Sequence, residues 1–465
     1  MGKPTIKILD VVHCKANKEA RKLIKKSLSY EDVVRKRNRF GVKGKEVVTR
    51  HLITGREGTG GTFLSGLLPR VEKAIGKTKE TLQVNGSLEC LPEPIQPALP
   101  GITFRPDQKK AFCKIAKYQR GMILFPTGSG KTIIELGVAS MWPQCRILWL
   151  CHTLDLLEQF TKEAKIYGFA NRLVKLRGGY DPPRGLHNSA IVASTIQSVE
   201  KLDLETRISQ FDIVMVDEAH HVHKEDSRYG TVLRHCLAPG RLGMTATAPN
   251  KQRGALVNEG LFGPIIAELK RSQGIKRGIL AKPKITILPV PFDDKLDAEC
   301  SKGKSFKKYY NICITNNKIR NRLIVREVRR TIKKNETVLI IIEYTDHGKI
   351  LKDLLKKNGI KAPFVYGETP SERRVKIKNQ LALGKKQIVI ASRVWKEGVN
   401  IPSLNKVILA YGMKDDKGTI QAIGRGFRTT VTKKVIELVD FLDPYPYLAQ
   451  HSIARLSVYA KEKWI

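Results

Sequence analysis

The sequence predicts an α/β protein: two tandem doubly wound lobes with parallel sheets, behind a small basic α+β accessory unit. Short, wholly apolar runs bounded by Gly, Pro or polar residues alternate with amphipathic stretches from Ile102 to about Gly274. The same alternation begins again after residue 300, and stretches rich in Pro, Lys or Gly precede each set. Such runs are too short for helices and too continuous for strands with one wet face. They fit strands buried on both sides, and strands alternating with helices imply a parallel sheet.

Residues 1–90 are the accessory unit. Basic, helical-looking stretches such as Lys15–Lys26, with Leu23 and Ile24 among the cations, alternate with glycine-rich turns such as Thr54–Gly66. The run Arg35-Lys36-Arg37-Asn38-Arg39, the cluster Lys43–Lys45, and Arg70 with Lys73 and Lys77 read as a surface that follows phosphates. Arg35, Arg37 and Arg39 are its leading candidate contacts. Residues 91–100 hold four prolines, which forbid regular helix or central strand and predict a stiff linker. Residues 101–275 form the first lobe, with strands expected at Met122–Phe125, Ile147–Cys151, Ala190–Ala193 and Ile213–Val216. The Lys- and Pro-rich stretch 276–300 reads as a second linker. Residues 301–465 form the second lobe and a C-terminal tail, with strands at Val338–Ile342, Gln387–Ala391 and Val407–Ala410 and a helix over Lys349–Asn358 that stops at Gly359.

Composition narrows the partner. The chain carries 84 Lys+Arg against 44 Asp+Glu, a formal charge of +40. Self-repulsion of that size is most readily tolerated against a polyanion, so nucleic acid is the leading partner, ahead of a merely solubilising surface or an anionic membrane. No apolar run is long enough for a transmembrane helix, and the start Met1-Gly2-Lys3-Pro4-Thr5-Ile6 lacks both the core of a signal peptide and the myristoylation pattern. No membrane partner and a cytoplasmic location are expected, in a host's cytosol if the chain is phage-encoded. The eight cysteines never form a C-x-x-C pair, so neither zinc nor a disulfide framework is indicated, and Cys151 and Cys313 read as small core residues.

The strand Met122–Phe125 runs into Pro126-Thr127-Gly128-Ser129-Gly130-Lys131-Thr132 and then a helical stretch. Glycines let the backbone curl so that successive N–H groups point at phosphate oxygens, Lys131 can bridge the β and γ phosphates, and Thr132 can hold Mg²⁺. The helix start adds its dipole. ATP and Mg²⁺ are the implied cofactors. Phe125 stands where the pattern usually has its first glycine, ahead of the amides that wrap the phosphate. At the end of another buried strand, Val216-Asp217-Glu218-Ala219-His220 supplies a carboxylate for Mg²⁺, Asp217, and a base for the attacking water, Glu218. Near the other end, Gln421-Ala422-Ile423-Gly424-Arg425-Gly426-Phe427-Arg428 places two arginines on one helix face, where they could reach a γ-phosphate as arginine fingers.

In their order and content these segments resemble the superfamily-two helicases over residues 101 to about 445. The resemblance implies RecA-like lobes and assigns further roles. Phe104-Arg105-Pro106-Asp107-Gln108 resembles the adenine-reading segment, with Arg105 and Gln108 on the nucleotide side. Cys151-His152-Thr153-Leu154 and Ser194-Thr195-Ile196-Gln197-Ser198 resemble strand-contacting motifs, which makes Thr153, Thr195 and Gln197 candidate nucleic-acid contacts. Asp217–His220 takes the DEAH form, and Thr245-Ala246-Thr247 is the coupling motif, so His220, Thr245 and Thr247 would link the nucleotide to the track. In the second lobe Glu343-Tyr344-Thr345 and Ala391–Pro402 add Tyr344 and Ser392 as strand contacts and Gly398 at the nucleotide; Gln421, Arg425 and Arg428 fall in the last motif. Ser392 stands for the usual Thr and keeps its hydroxyl, whereas Asn400 replaces Asp and loses a charge.

Within that superfamily the chain is most similar to phage UvsW-type branch-migration helicases and the nucleotide-excision-repair helicases. The cues are Asp217-Glu218-Ala219-His220-His221, Gly243-Met244-Thr245-Ala246-Thr247 and Lys396-Glu397-Gly398-Val399-Asn400-Ile401-Pro402, with Gly66-Leu67-Leu68-Pro69-Arg70-Val71 in the accessory unit. The resemblance implies an ATP-dependent DNA helicase or translocase acting on forks and junctions in replication, recombination or repair, with 3'-to-5' polarity and a monomeric motor. A duplex translocase without strand separation, an RNA helicase and a nucleic-acid-binding ATPase switch stay open as alternatives.

Overall fold

The computed structural model describes residues 3–37, 43–56, 58–78, 81–176, 190–247, 249, 251–301, 305–392, 401, 403–414 and 435–465. The chain divides into two compact units: Met1–Phe125 with Gly130–Leu269, and Lys270–Ile465 with Pro126–Ser129.

The first unit opens with six strands, β1 (Thr5–Ile8), β2 (His13–Ala16), β3 (Ser29–Arg37), β4 (Lys43–His51), β5 (Gly61–Leu64) and β6 (Gln83–Asn85). Four of them form a mixed sheet in the order β5-β2-β1-β6, while β3 and β4 pair as a separate antiparallel hairpin. Asn17 ties this layer to its helix: its Oδ1 accepts from Ala20 N (2.9 Å), capping Lys18–Ile24, and from Thr5 N (3.1 Å) on β1.

Next come β7 (Arg120–Leu124), β8 (Ile147–Cys151), β9 (Leu173–Leu176), β10 (Ile191–Thr195), β11 (Ile213–Asp217), β12 (Gly240–Thr245) and β13 (Ile265–Glu268). They make one sheet in the order β13-β7-β12-β11-β8-β10-β9, with every pair parallel. β8, β10, β11 and β12 are buried from end to end; in β8, β10 and β11 this leaves continuous apolar runs, while β12 buries Arg241 as well. The proline-rich stretch before this sheet has no helix or strand and is pinned along it: Ile95 N donates to Met141 O (3.0 Å) and Trp142 Nε1 to Pro92 O (2.7 Å).

The accessory layer shares one hydrophobic core with this lobe, running from Ile6 and Phe63 through Leu67 to Leu256 and Phe262. Its backbone comes very close: a Cβ on Gly66 would stand 2.2 Å from Glu259 O, and one on Gly260 would stand 2.7 Å from Leu64. Arg70 clasps Glu259 through Nε (3.0 Å) and Nη2 (2.6 Å). Arg70 is therefore a docking residue, and the Gly66–Val71 segment acts as the joint between the accessory layer and the helix Gln252–Phe262. Arg120 completes the joint by donating to Val11 O (3.2 Å), Ser65 Oγ (3.2 Å) and Phe262 O (3.4 Å). Beside it the fully buried Arg241 donates to Leu233 O, Cys236 O and Leu261 O at 2.6–2.7 Å. These carbonyls lie at helix C-termini, whose negative dipole ends stand in for a carboxylate. Burial, and then Arg241, lower the Arg120 pKa to about 9.

The second unit contains β14 (Lys282–Pro289), β15 (Thr337–Ile341), β16 (Phe364–Val365), β17 (Ile388–Ala391), β18 (Leu404–Leu409) and β19 (Val435–Leu442). Their order is β14-β19-β18-β15-β17-β16, again parallel throughout. The two lobes thus carry the parallel α/β architecture expected. The stretch 276–300, expected as a linker, instead supplies the edge strand β14 and most of the helix Asp294–Ser301. Pro283 and Pro289 hid the strand, yet an edge position spares proline the amide it lacks, and Ile285 and Ile287 keep a period of two. The expected C-terminal tail is the helix Pro446–Lys461, fixed by Arg455 and Tyr459 on Asp440 (2.9 and 2.6 Å). Cys313 is buried and disulfide-bonded, against the reading of a free core thiol.

Candidate active site

β7, β12 and β11 are neighbours, so the segments that leave their C-terminal ends converge. From β7 the chain turns through Phe125–Gly130 into the helix Lys131–Met141. Gly128 and Gly130 take φ of +85° and +86°, a region where a side chain is strained. Inside the turn, Ser129 N and Oγ both donate to Pro126 O (3.1 and 2.7 Å), which leaves Thr127 and the glycine amides at its rim. A Cβ on Gly130 would stand 3.0 Å from Gln108 Nε2 and 3.6 Å from Arg105 Nη1. The expected adenine-side residues therefore lie beside the loop. Gln108 Oε1 accepts from Arg105 N (3.0 Å) and Arg105 pairs with Asp107 (2.9 Å), holding both side chains in place.

Lys131 Nζ sits 2.9 Å from Glu218 Oε1 and 3.9 Å from Asp217 Oδ1. Burial alone would lower the ammonium pKa, but Glu218 and then Asp217 override it and raise it to about 12. Glu218, in spite of burial, is held well below the carboxylate range by Lys131 and by His220. Burial pushes Asp217 up to about 6, against the pull of Lys131. Glu218 itself has a φ of +53°, a left-handed conformation rare for a non-glycine and typical of strained functional turns.

A relay leads away from this trio. His220 Nδ1 is 3.4 Å from Glu218 Oε2 and 3.0 Å from Thr245 Oγ1; the same hydroxyl donates to Thr247 O (3.0 Å) and accepts from Thr247 N (3.2 Å). The three expected coupling residues thus form one bonded chain at the ends of β11 and β12. His221 packs its ring 4.1 Å from that of His152, and among the described residues no cluster of His, Cys, Asp and Glu could hold a metal by itself. One residue escaped the sequence reading. Glu135, one helical turn beyond Lys131, is buried behind the site, and burial and then Asp217 raise its pKa well above normal. Its only signal was a carboxylate among Ile133, Ile134 and Leu136.

The candidate strand contacts are divided between the two units. Thr153 caps the helix Leu154–Ile166 by accepting from Leu156 N (3.3 Å), Thr195 Oγ1 meets Ser198 Oγ (3.0 Å), and Gln197 Nε2 donates to His152 O (3.3 Å). Those two segments end adjacent strands, β8 and β10, with Thr195 opposite Cys151. In the second unit Tyr344 immediately precedes the helix Thr345–Lys357 and Ser392 immediately follows β17, its N donating to Val365 O (2.9 Å). Arg35 and Arg37 lie on β3 at register positions opposite Lys45 and Lys43. Arg39, Gly398, Gln421, Arg425 and Arg428 lie outside the described residues.

The donors fit the group the loop implies. Glycines with positive φ at a helix start, a buried lysine and two carboxylates can hold a triphosphate, and the Thr132 hydroxyl with Asp217 offers the hard oxygens Mg²⁺ prefers.

Residues 101–250 match the family model of the type III restriction enzyme res subunit, and 319–430 that of the helicase conserved C-terminal domain. The ATP-dependent DNA helicase uvsW of Enterobacteria phage T4 is 27% identical over 381 residues, 77% of this chain and 75% of its own. Putative helicase 22 of Sulfolobus islandicus filamentous virus is 25% identical over 74% of this chain and 64% of its own. The putative DNA 3'-5' helicase Rad25 of Haloarcula marismortui is 26% identical over 68% of this chain, which spans only 49% of that protein. A crystal structure of T4 UvsW aligns over 99% of this chain and 98% of its own, with a TM-score of 0.45 and 22% identity. No helix of the described residues is long and apolar enough to cross a membrane.

Proposed function

The chain belongs to the DEAH-type superfamily-two helicases and carries an ATP-dependent helicase core; from that premise we propose that it is a DNA motor that unwinds or remodels forks and junctions. One observation carries the chemistry: Lys131, Asp217, Glu218 and Thr245 meet at the ends of three adjacent parallel strands. When bound, MgATP supplies the γ-phosphoryl group and the metal that neutralises its charge. Lys131 turns from Glu218 to the phosphates, and Gln108 with Arg105 holds the base side. Glu218, ionised and kept so by Lys131 and His220, orients the attacking water and accepts its proton. Arg425 and Arg428 stabilise the transition-state charge. His220, Thr245 and Thr247 report the state of that site toward Thr153, Thr195 and Gln197, while Tyr344 and Ser392 serve the same strand on the second lobe.

The hairpin favours a branched substrate. β3 and β4 pair over nine residues each, with Arg35 opposite Lys45 and Arg37 opposite Lys43, and the paired Val33 and Val47 stay 59% and 60% exposed. A cationic arm rooted on a docked layer suits a duplex held beside the motor. The archaeal relative's name, which reads 3'-5', supports that polarity here. ATP hydrolysis should be compared on single strands, duplexes, forks and four-way junctions. Forks and junctions should stimulate best, and replacing residues 32–48 by a tight Asn-Gly turn should remove that preference while single-strand stimulation persists. Equal stimulation by all four would overturn the reading.

A further inference from the structure

Among the described residues of the second unit, the large aromatic side chains left most open are Phe292 (53% exposed), Phe306 (38%) and Tyr447 (61%). They come from three segments, yet all lean on one aromatic cluster around Tyr309, Tyr310 and Tyr445. Phe292 lies 5.7 Å from Tyr445, Phe306 lies 6.2 Å from Tyr310 and 5.7 Å from His451, and Tyr447 meets Tyr309 at 5.7 Å, nearly perpendicular. The rings are thus fixed from behind and open in front.

The cluster adjoins the expected strand contact Tyr344. Tyr310 stands edge-on to it at 5.0 Å, and Lys307 Nζ lies 6.0 Å from its ring. Tyr310 is itself anchored, accepting a hydrogen bond from Gly412 N (3.2 Å) just beyond β18. Lys307 and Lys308 are exposed in the same short helix as Phe306, and the sequence ahead of it reads Lys302-Gly303-Lys304-Ser305. That mixture decides the class of partner. The centre of a protein–protein interface is depleted of lysine, whereas open rings interleaved with cations suit unpaired bases and their phosphates.

We propose that Phe306 and Tyr447, supported by Phe292 and flanked by Lys307 and Lys308, form a base-stacking platform for single-stranded DNA beside Tyr344. The platform rests on the DNA-motor reading and extends its track beyond the motif residues. Rings already held in place lose little freedom when a base stacks, and every base has a face to offer, so the contact tolerates any sequence.

The test uses the full chain without nucleotide, and a labelled oligothymidylate beside an abasic oligomer of equal length. Stacking on one ring corresponds to roughly 5- to 150-fold in affinity. Phe306→Ala and Tyr447→Ala should each weaken oligothymidylate binding by that factor, Phe306→Trp and Tyr447→Phe should restore it, and the abasic oligomer should bind all variants alike. Should an alanine variant not fold, Phe306→Leu or Tyr447→Leu, which keeps apolar bulk without a ring, takes its place. Unchanged oligothymidylate affinity, or equal loss on both oligomers, overturns the platform; unchanged DNA binding with altered self-association would reassign the patch to protein contact. A wild-type chain that binds no single strand and gains no ATPase from DNA would sink the motor reading as well.

Discussion

Lys131 and Glu218, 87 residues apart in sequence, are joined by an ion pair of 2.9 Å across the ends of their strands. The pair keeps the carboxylate ionised and the lysine charged in a site that burial would otherwise neutralise. It also makes the two residues separable by experiment.

Glu218→Gln should retain nucleotide binding and lose turnover by roughly 10²–10⁴-fold, the usual contribution of a positioned base. Lys131→Ala should lose both nucleotide binding and hydrolysis, with DNA affinity, which is spread over many cations, nearly unchanged. Fluorescent-nucleotide binding and phosphate release check both. A Glu218→Gln variant with normal turnover would remove the base from this account.

Arg425→Ala and Arg428→Ala should lower turnover by roughly 10³–10⁵-fold with little change in ATP affinity, because fingers act on transition-state charge. Single-turnover hydrolysis against equilibrium binding separates the two effects. Weak binding with normal turnover would assign them to ground-state contacts.

Thr245→Val removes the hydroxyl shared by His220 and Thr247. Basal ATP hydrolysis should survive within a few-fold, while its stimulation by DNA and the displacement of strands should both fall. If stimulation stays intact, the relay is only structural.

His347 is buried in the second lobe with Nε2 2.9 Å from Asn321 Oδ1, and burial, then Arg320, lowers its pKa from 6.5 to about 3. The unfolded chain therefore takes up the proton first. The stability tied to the neutral ring is complete above about pH 6.5 and is lost as pH falls toward 3. Between about pH 7 and 5 the loss is about 2 kcal/mol. His347→Gln should flatten that part of the slope in urea unfolding; an identical slope would mean that the ring is not held neutral.

Gly66→Ala would place a Cβ 2.2 Å from Glu259 O, so the accessory layer must shift off its helix. A loss of roughly 1–3 kcal/mol in stability is expected, with faster proteolysis between residues 86 and 100. Wild-type behaviour in both measurements would show that the joint tolerates slack. The shared core also explains why shortening the hairpin is a cleaner experiment than removing residues 1–90, which would uncover Leu256 and Phe262.

Much of this architecture was legible because buried parallel strands leave continuous apolar runs. The ends of β7 and β11 could be placed by eye from Met122 and Val214 and their neighbours, whereas β12 between them, with Arg241 and two glycines in six residues, leaves no apolar run and was not expected. The edge strand β14 was not legible, since Pro283 and Pro289 punctuate it and edges do not need every amide. Arg70, Arg120 and Arg241 were equally opaque. In so basic a chain an arginine reads as surface, and only packing reveals that Arg241 bonds helix-end carbonyls, that Arg120 joins Val11 O, Ser65 Oγ and Phe262 O, and that Arg70 clasps a single glutamate. The aromatic cluster was hidden because Tyr447 stands far along the sequence from Phe292 and Phe306.

The most direct test of the motor reading follows labelled forks and four-way junctions with the wild-type chain and Glu218→Gln, each with ATP and with a non-hydrolysable analogue. Strand displacement or branch movement should appear only for the wild type with ATP, while both proteins bind the DNA. A wild-type chain that hydrolyses ATP on these substrates and moves neither strand nor branch, or a Glu218→Gln variant that moves them equally well, would contradict it.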